Sequence, residues 1–570
     1  MLSKVKRHLV PALSFVVSLL SALFWVALRV NYSGISKFLG ADKNQSFLIM
    51  NLPVMVCALA WVGVALAFWG LFCWEKRKWP SVAGLVIGLV MTVGAIVVVI
   101  FGAKDYLRFI LPHFWKTVAA SACLGLFALI LYFPMQGKKR LKTVFLMAVV
   151  LVCVVIGYQL RSCELRTEAV VYAVEDDYQI VFATSDNAIS WVNIGGKEYY
   201  DLYAGSMQSS SKVHKITVPQ EVLDEAGGYA INFRQVIYRG PFGGYLGEMQ
   251  TQHYAFRPVD SSDGLNYFSL SDVHEAVDAA AAAATSQHSG QLDFIVLLGD
   301  LVSMVETEKD ALLANELAHK ITGGEFPVIY ARGNHEIKGE YAERLHRYVG
   351  AKGDSFSYTV TLGEDVFAVV LDMGEDHEDD WWEYYGTAKF DHYRQTQTEM
   401  LEDILSDGAY ENYRYRLALC HIPIVYVDKH GYFEQFRNEW TALLNKMDID
   451  LCLSGHKHVL WPFLPGQVEP YEPLVFSDWY SGREGKTDGG YLTDFNFPGA
   501  LVGRRSLKQA GSTQSDGYTD YTGLLTKVDF ATGRQQCNYI NSRGEILSGE
   551  YPFAYEHFSD FVTQMKRPEK

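Results

Sequence analysis

Cysteine is scarce, at eight residues in a chain of 570, too few for the dense disulfide framework of small secreted domains. Positive charge is also in short supply. Lys and Arg total 50 against 65 Asp and Glu, a formal net charge of −15. That balance argues against a general nucleic-acid binder, because phosphate backbones are held by clustered basic side chains. The low hydrophobicity of a disordered or fibrous chain is missing too, since 49% of the residues are hydrophobic. Mean hydropathy is +0.02, high for a chain with 20% charged residues. One very apolar part joined to an ordinary soluble part explains it. The length suggests about three to five structural units.

The apolar part lies before residue 161. Five runs, 9–28, 47–73, 80–103, 117–135 and 143–160, contain no Asp, Glu, Lys, Arg or His. Each is near or above the roughly 18–20 residues a helix needs to cross a bilayer. Apolar all round rather than amphipathic, they predict an all-α transmembrane bundle of five helices over 1–160. Lys4, Lys6, Arg7, Lys76, Arg77, Lys78, Lys138, Lys139, Arg140 and Lys142 flank the runs on one side; Arg29, Lys37, Lys43, Lys104, Arg108 and Lys116 are spread along the other. The positive-inside bias then puts the N-terminus in the cytoplasm and everything after about 161 outside the cell membrane. Without ionisable residues in the runs, the bundle reads as an anchor in the lipid bilayer rather than a transporter. Gly84 and Gly88 form one small-xxx-small packing pair.

Residues 161–175 read as a connector. Short alternating segments follow, Tyr178–Ala183, Ala188–Ile194, Glu198–Tyr203, His214–Val218, Tyr229–Tyr238 and Met249–Phe256, punctuated by Asp-Asn and Gly-Gly pairs. They predict a β-sandwich, fibronectin-III-like, over 176–260. From Asp263 on, apolar runs alternate with helical stretches: Glu275–Ser286, Lys309–Ile321, Tyr341–Tyr348, Gln395–Leu405 and Phe433–Lys446. That alternation implies an α/β domain, placed at 263–480. Residues 481–570 read as a long loop (484–523), a hairpin turning at Thr532-Gly533 and a helical tail.

The strands of the α/β part end in chemistry. Leu265–Leu270 runs into Ser-Asp272-Val-His274, and Phe294–Leu298 into Gly299-Asp300. Val328–Ala331 runs into Arg-Gly333-Asn334-His335-Glu336, Leu417–Cys420 into His421, and Leu451–Leu453 into Ser-Gly455-His456-Lys-His458. Ligand sites gather at the carboxyl ends of strands in open α/β sheets. Two Asp, one Asn and five His delivered to one place make a donor set for a pair of divalent metals, with carboxylate and imidazole suiting Mn, Fe or Zn. Asp272/His274 and His456/His458 alternate, so a locally extended backbone would aim both members of each pair the same way. Glycines before Asp300, Asn334 and His456 let the chain turn sharply and approach the ions closely.

These five blocks resemble the calcineurin-like metallophosphoesterases over about residues 263–480. The resemblance implies an α/β/β/α four-layer domain and a two-metal centre. By it, Asp272, His274 and His458 hold one ion, Asn334, His421 and His456 hold the other, Asp300 bridges both, and His335 is the catalytic histidine. A sandwich ahead of the catalytic domain is similar to the layout of purple acid phosphatases. Those carry Tyr three residues after the bridging Asp and a non-ligand after the first Asp, where this chain has Ser303 and His274. The phenolate of a coloured iron(III) site is therefore absent.

The expected activity is hydrolysis of phosphate mono- or diesters by a metal-bound hydroxide, with His335 serving the leaving group. Its substrate would be a phosphorylated small molecule, a lipid or a cell-envelope polymer. A membrane sensor built on the same fold, without strong turnover, is the alternative. Glu336 either orients His335 or is a surface carboxylate. Asp372 either supports the site or caps a turn. Tyr426, Lys457 and Arg483 either touch substrate or face solvent. In the acidic, aromatic insertion 376–393, Asp376, His377 and Asp379 are candidates for a further cation, while Trp381 and Trp382 either pack on the site rim or approach the membrane.

Overall fold

The computed structural model describes residues 11–23, 25, 47–74, 76–102, 163–239, 244–427, 434–458, 460–465, 490–491, 494–503, 521–546 and 561–567. The chain divides into two units, Met1–Tyr158 and Gln159–Lys570.

In the first unit, a helical stretch at 11–23 accompanies helices α1 (Phe47–Cys73) and α2 (Trp79–Gly102). Small residues let them approach closely. A Cβ on Gly84 would meet the Ala67 backbone at 2.7 Å, and one on Gly88 would meet Ser18 Cα at 2.9 Å, so the expected small-residue pair does lie at helix contacts. Ser18 Oγ donates to the Gly84 carbonyl at 2.7 Å and Trp25 Nε1 to that of Met91 at 2.8 Å. Among the described residues no helix is long and apolar enough to cross a membrane. The transmembrane bundle expected from hydropathy is corrected accordingly; its runs at 117–135 and 143–160 lie outside the described residues.

The second unit is built on two sheets. In chain order its strands are β1 (Leu165–Val174), β2 (Asp177–Ile194), β3 (Lys197–Tyr200), β4 (Ser211–Pro219), β5 (Gly228–Arg239), β6 (Gly244–Ala255), β7 (Leu265–Leu270), β8 (Phe294–Leu297) and β9 (Val328–Tyr330). Then come β10 (Tyr358–Leu362), β11 (Val366–Leu371), β12 (Tyr415–Cys420), β13 (Leu451–Ser454), β14 (Trp461–Phe463), β15 (Gly499–Leu501), β16 (Thr522–Asp529), β17 (Arg534–Asn541) and β18 (Val562–Gln564). The larger sheet has 12 strands in the order β18-β17-β16-β7-β8-β9-β1-β2-β5-β6, with β3 and β4 also paired to β2. The smaller has six, in the order β10-β11-β12-β13-β15-β14.

This topology changes the expected division of the chain. The connector 161–175 carries β1, whose Tyr172 pairs in parallel with Val328 of β9. Through that bridge the strands between 165 and 255 are continuous with the large sheet. At the other end the expected hairpin is present as β16–β17. In the tail expected to be helical, Val562–Gln564 form β18 beside β17, while 547–560 lie outside the described residues.

Helices α3 (Val277–Ala284) and α4 (Leu313–Thr322) pack on the large sheet, and α5 (Phe390–Asp407) and α6 (Glu434–Lys446) pack together on the small one. Strand β11 shows why the layers stack. Val366, Ala368 and Val370 enter the core between the sheets, while Phe367, Val369 and Leu371 enter the core under α5 and α6 with Leu401, Trp440 and Leu444. A period of two with both faces apolar is what a strand covered on both sides needs. Trp440 is fully buried and donates through Nε1 to Thr398 Oγ1 at 3.0 Å. Its replacement by Ala would cost about 3–5 kcal/mol. Tyr267 and Tyr415 join the sheets through hydroxyls 2.8 Å apart.

Candidate metal centre

Five strands end side by side: β7, β8 and β9 in the large sheet, β12 and β13 in the small one. Their tips are laced together by main-chain hydrogen bonds. Asp272 N donates to Gly299 O at 3.0 Å, His274 N to Asp300 O at 3.1 Å, and Gly455 N to His421 O at 2.8 Å. Two glycines make the approach possible. A Cβ on Gly333 would overlap Asp300 Oδ1 and the Asp300 backbone, and one on Gly455 would overlap Ser271 Oγ. The two alternating pairs are not extended as expected. Asp272 and His274 have φ of 53° and 41°, His456 and His458 of 69° and 53°, so left-handed turns rather than strand alternation aim them at a common point.

Two groups of donors result, each able to offer one atom per residue within 4.8 Å of the others. One is Asp272, His274, Asp300 and His458; the other is Asp300, His421 and His456. Asp300 belongs to both. Asn334 joins the second group, with Oδ1 3.0 Å from His456 Nδ1. In the first, the His274 and His458 rings stack at 5.0 Å with their Nε2 atoms 3.3 Å apart, and His458 Nε2 lies 3.3 Å from Asp272 Oδ1. In the second, His421 Nε2 is 3.1 Å from Asp300 Oδ2.

These residues fit a pair of cations. Asp272 Oδ1 and His421 Nε2 are buried and face only other donors of the centre, His458 Nε2 at 3.3 Å and Asp300 Oδ2 at 3.1 Å, in contacts without good hydrogen-bond geometry, a state that is costly for buried polar atoms unless a cation meets them. Two of these groups hold a proton more tightly than usual. Burial, together with the Asp300 charge, pushes the Asp272 carboxyl up to about 7. Burial opposes protonation of His421, but Asp300 and Asp272 override it and raise the imidazole to about 10. Burial holds His458 down at about 3, a neutral imidazole with a lone pair to share.

His335 stands beside these groups. Its ring meets that of His274 edge-on at 4.9 Å. Its Nδ1 is 2.7 Å from the Ser303 carbonyl, and its Nε2 is 3.8 Å from Asp300 Oδ2. Since a carbonyl only accepts, Nδ1 carries the proton and Nε2 faces the centre.

Residues 267–460 match the Calcineurin-like phosphoesterase family. No curated protein matches the chain. Among solved structures it is similar to the purple acid phosphatase PPD1 from yellow lupin, at 13% identity over 66% of this chain and 72% of that one with a TM-score of 0.40. It is similar to PhoD at 10% identity over 66% and 87%, with a TM-score of 0.37. A third is a dimetal phosphatase from Danio rerio, at 11% identity over 51% and 98% with a TM-score of 0.32.

Within the calcineurin-like segment, all eight residues expected at the centre come together. The residues expected around it divide. Glu336 is buried and serves neither expected purpose. Its Oε2 accepts from Asp300 N at 2.8 Å and Gly333 N at 3.0 Å, and its Oε1 accepts from Leu301 N at 2.7 Å. It therefore fixes the backbone that presents Asp300. Asp372 caps a turn by accepting from Gly374 N at 2.8 Å, and it pairs with Arg332 Nε at 2.8 Å. Lys457 points its Nζ to within 3.7 Å of Asp376 Oδ2. Tyr426 lies on a short strand paired with Tyr491, its side chain not described; Arg483 lies outside the described residues. In the insertion, Asp379 accepts from Phe390 N at 2.7 Å at the start of α5 and so leaves the expected trio. Asp376, by contrast, reaches the centre.

Sequence reasoning missed two contributors. The Ser303 carbonyl holds His335, and a backbone group leaves no mark in a sequence. Glu275 accepts from Ser303 N at 2.8 Å and from Ser303 Oγ at 3.0 Å; its place directly after Asp272-Val-His274 is a signal that could have been read.

Proposed function

We propose that the calcineurin-like segment hydrolyses phosphate mono- or diesters with a pair of divalent cations. The observation that carries this reading is the shared Asp300: one buried carboxylate serves two donor groups, with His335 next to it. Asp272, His274, Asp300 and His458 would hold one cation, and Asp300, Asn334, His421 and His456 the other, in a carboxylate–imidazole setting that suits Mn, Fe or Zn. Such cations, when bound, supply polarisation of phosphoryl oxygens and a more acidic water. The protein's own part is arrangement and proton transfer. The Ser303 carbonyl fixes the His335 tautomer, so Nε2 is the nitrogen that exchanges a proton with a leaving oxygen. The His335 side chain is 28% exposed, open enough to meet an ester arriving from solvent. Lys457, at the mouth of the centre, supplies positive charge to an anionic substrate. That substrate is a phosphorylated small molecule, lipid or polymer.

The test is metal content and turnover of the full chain after chelation and reloading with Mn, Fe(II) or Zn, on p-nitrophenyl phosphate and bis-p-nitrophenyl phosphate. Two equivalents of metal and metal-dependent hydrolysis of at least one ester are expected. His335→Asn should keep both equivalents and lose roughly 10²–10⁴-fold in rate. A chain that takes up no metal, or a loaded chain that cleaves neither ester, refutes the proposal.

A further inference from the structure

The consecutive carboxylates Glu375 and Asp376 touch the second donor group, one ligand each. Glu375 Oε1 accepts from Asn334 Nδ2 at 2.9 Å. That contact turns Asn334 Oδ1 toward His456 Nδ1, 3.0 Å away. On the far side of the same ring, His456 Nε2 lies 2.8 Å from Asp376 Oδ2.

A neutral imidazole carries one N–H. A proton on Nδ1 would go to Asn334 Oδ1 and leave the Nε2 lone pair against a carboxylate oxygen at 2.8 Å. A proton on Nε2 goes to that carboxylate instead, in a charge-assisted bond roughly twice as strong as a neutral one. The Nδ1 lone pair then converges with an amide oxygen that Glu375 has locked in place. Two acceptors held face to face at 3.0 Å repel each other unless a cation shares them. We infer that Glu375 and Asp376 are positioning residues for the second cation: Glu375 orients Asn334, and Asp376 selects the His456 tautomer that offers Nδ1 as ligand. The inference rests on the metal-centre reading of the previous subsection.

The surroundings support a positioning role and speak against a third cation on the Glu375–Asp376–His377 cluster. Glu375 Oε2 accepts from Tyr384 Oη at 2.5 Å and pairs with Lys338 Nζ at 2.9 Å. Asp376 has Lys457 Nζ at 3.7 Å. Both carboxylates already have positive partners; of their other contacts, Glu375 Oε1 also accepts from Asp376 N at 3.0 Å and Asp376 Oδ1 has His377 Nε2 at 3.5 Å, while the rest point at ligands. Outer partners of this kind typically change metal affinity by 10–100-fold when removed.

The test uses the full chain as Asp376→Asn, Asp376→Glu and the control Asp379→Asn. The control removes the charge of the carboxylate that accepts from Phe390 N in the same loop but touches no ligand. Metal binding is followed by calorimetric titration, and the Mn(II)-loaded chain by electron paramagnetic resonance. Wild type should show two equivalents and a spin-coupled signal. Asp376→Asn, whose amide can donate to Nε2 and so favours the wrong tautomer, should bind one equivalent as wild type does and the other 10–100-fold more weakly, with an uncoupled six-line signal. Asp376→Glu should recover part of the affinity, and Asp379→Asn all of it. Equal loading of Asp376→Asn and wild type overturns the inference, as does an equal loss in Asp379→Asn, which would make the effect one of loop folding. No uptake by wild type would instead sink the metal-centre reading itself.

Discussion

Gly333→Ala is the smallest change that should empty both cation positions at once. The added Cβ would overlap Asp300 Oδ1 and the Asp300 backbone, and it would stand 2.7 Å from Glu336 Oε2. No flexible side-chain end can swing away here, because Asp300 Oδ1 accepts from His335 N at 2.9 Å and Glu336 is tied to three backbone N–H groups. Overpacking of this kind costs about 1–3 kcal/mol. Displacing Asp300 from His335 N forfeits a hydrogen bond to a charged group, about 1.5–3 kcal/mol. Together these come to roughly 2.5–6 kcal/mol, or about two to four decades in affinity at about 1.4 kcal/mol per decade. Because Asp300 serves both groups, the two equivalents should fall together, unlike the selective loss expected for Asp376→Asn. Metal retained after gel filtration and the thermal midpoint with and without Mn are the measurements. A Gly333→Ala chain that retains two equivalents at wild-type affinity would show that Asp300 is not the shared ligand.

Two further outcomes follow from single side chains. Glu275→Gln should loosen the Ser303 carbonyl that holds His335; kcat is expected to fall about tenfold with both metal equivalents kept, and loss of metal would place Glu275 in the wrong role. Lys215, donating to Val349 O at 3.0 Å, is lowered by burial from 10.5 to about 8. The unfolded chain therefore binds the extra proton between those values, and stability rises with pH across them. Relative to Lys215→Met, wild type should gain up to roughly 3 kcal/mol between pH 8 and 10.5, at about 1.36 kcal/mol per unit. Urea unfolding of both chains measures the gap, and a gap that stays flat across that window refutes the assignment.

The centre was legible because its donors stand in the sequence directly after apolar runs, and strands of an α/β layer deliver their ends to one edge. What surrounds the donors was less so. Glu336 is adjacent to His335, which invites pairing the two, yet its carboxylate turns to the main chain of Asp300. Asp376 sits in an insertion whose acidic character drew attention to cation binding, while its partner is a histidine 80 residues on. The fold shows a similar split. Residues 161–175 looked like a connector, but residues 169–174 are all buried, the mark of a strand covered on both faces. In the first unit, uninterrupted hydrophobicity alone suggested spans, whereas among the described residues no helix is long and apolar enough to make one.

The shape of the ligand backbone bears on why this centre needs five strands. Asp272, His274, Asp300, His456 and His458 all have φ between 41° and 69°, a region that costs a non-glycine residue about 1–2 kcal/mol. Five such residues hold roughly 5–10 kcal/mol of local strain, comparable with the whole stability of a small domain. Asp is among the side chains that tolerate this region best, which eases the strain without removing it. It persists because each tip is held by its neighbour. The N–H of Asp272 goes to Gly299, those of His274 and Glu275 to Asp300 and Leu301, and that of Gly455 to His421. A single strand and its turn could not maintain those angles; strands from two sheets, ending together, can. Strained residues persist where the surrounding structure over-determines them and cluster where strain serves a site. Here every strained residue brings its donor atom inward, among the carboxylate and imidazole atoms of the two donor groups.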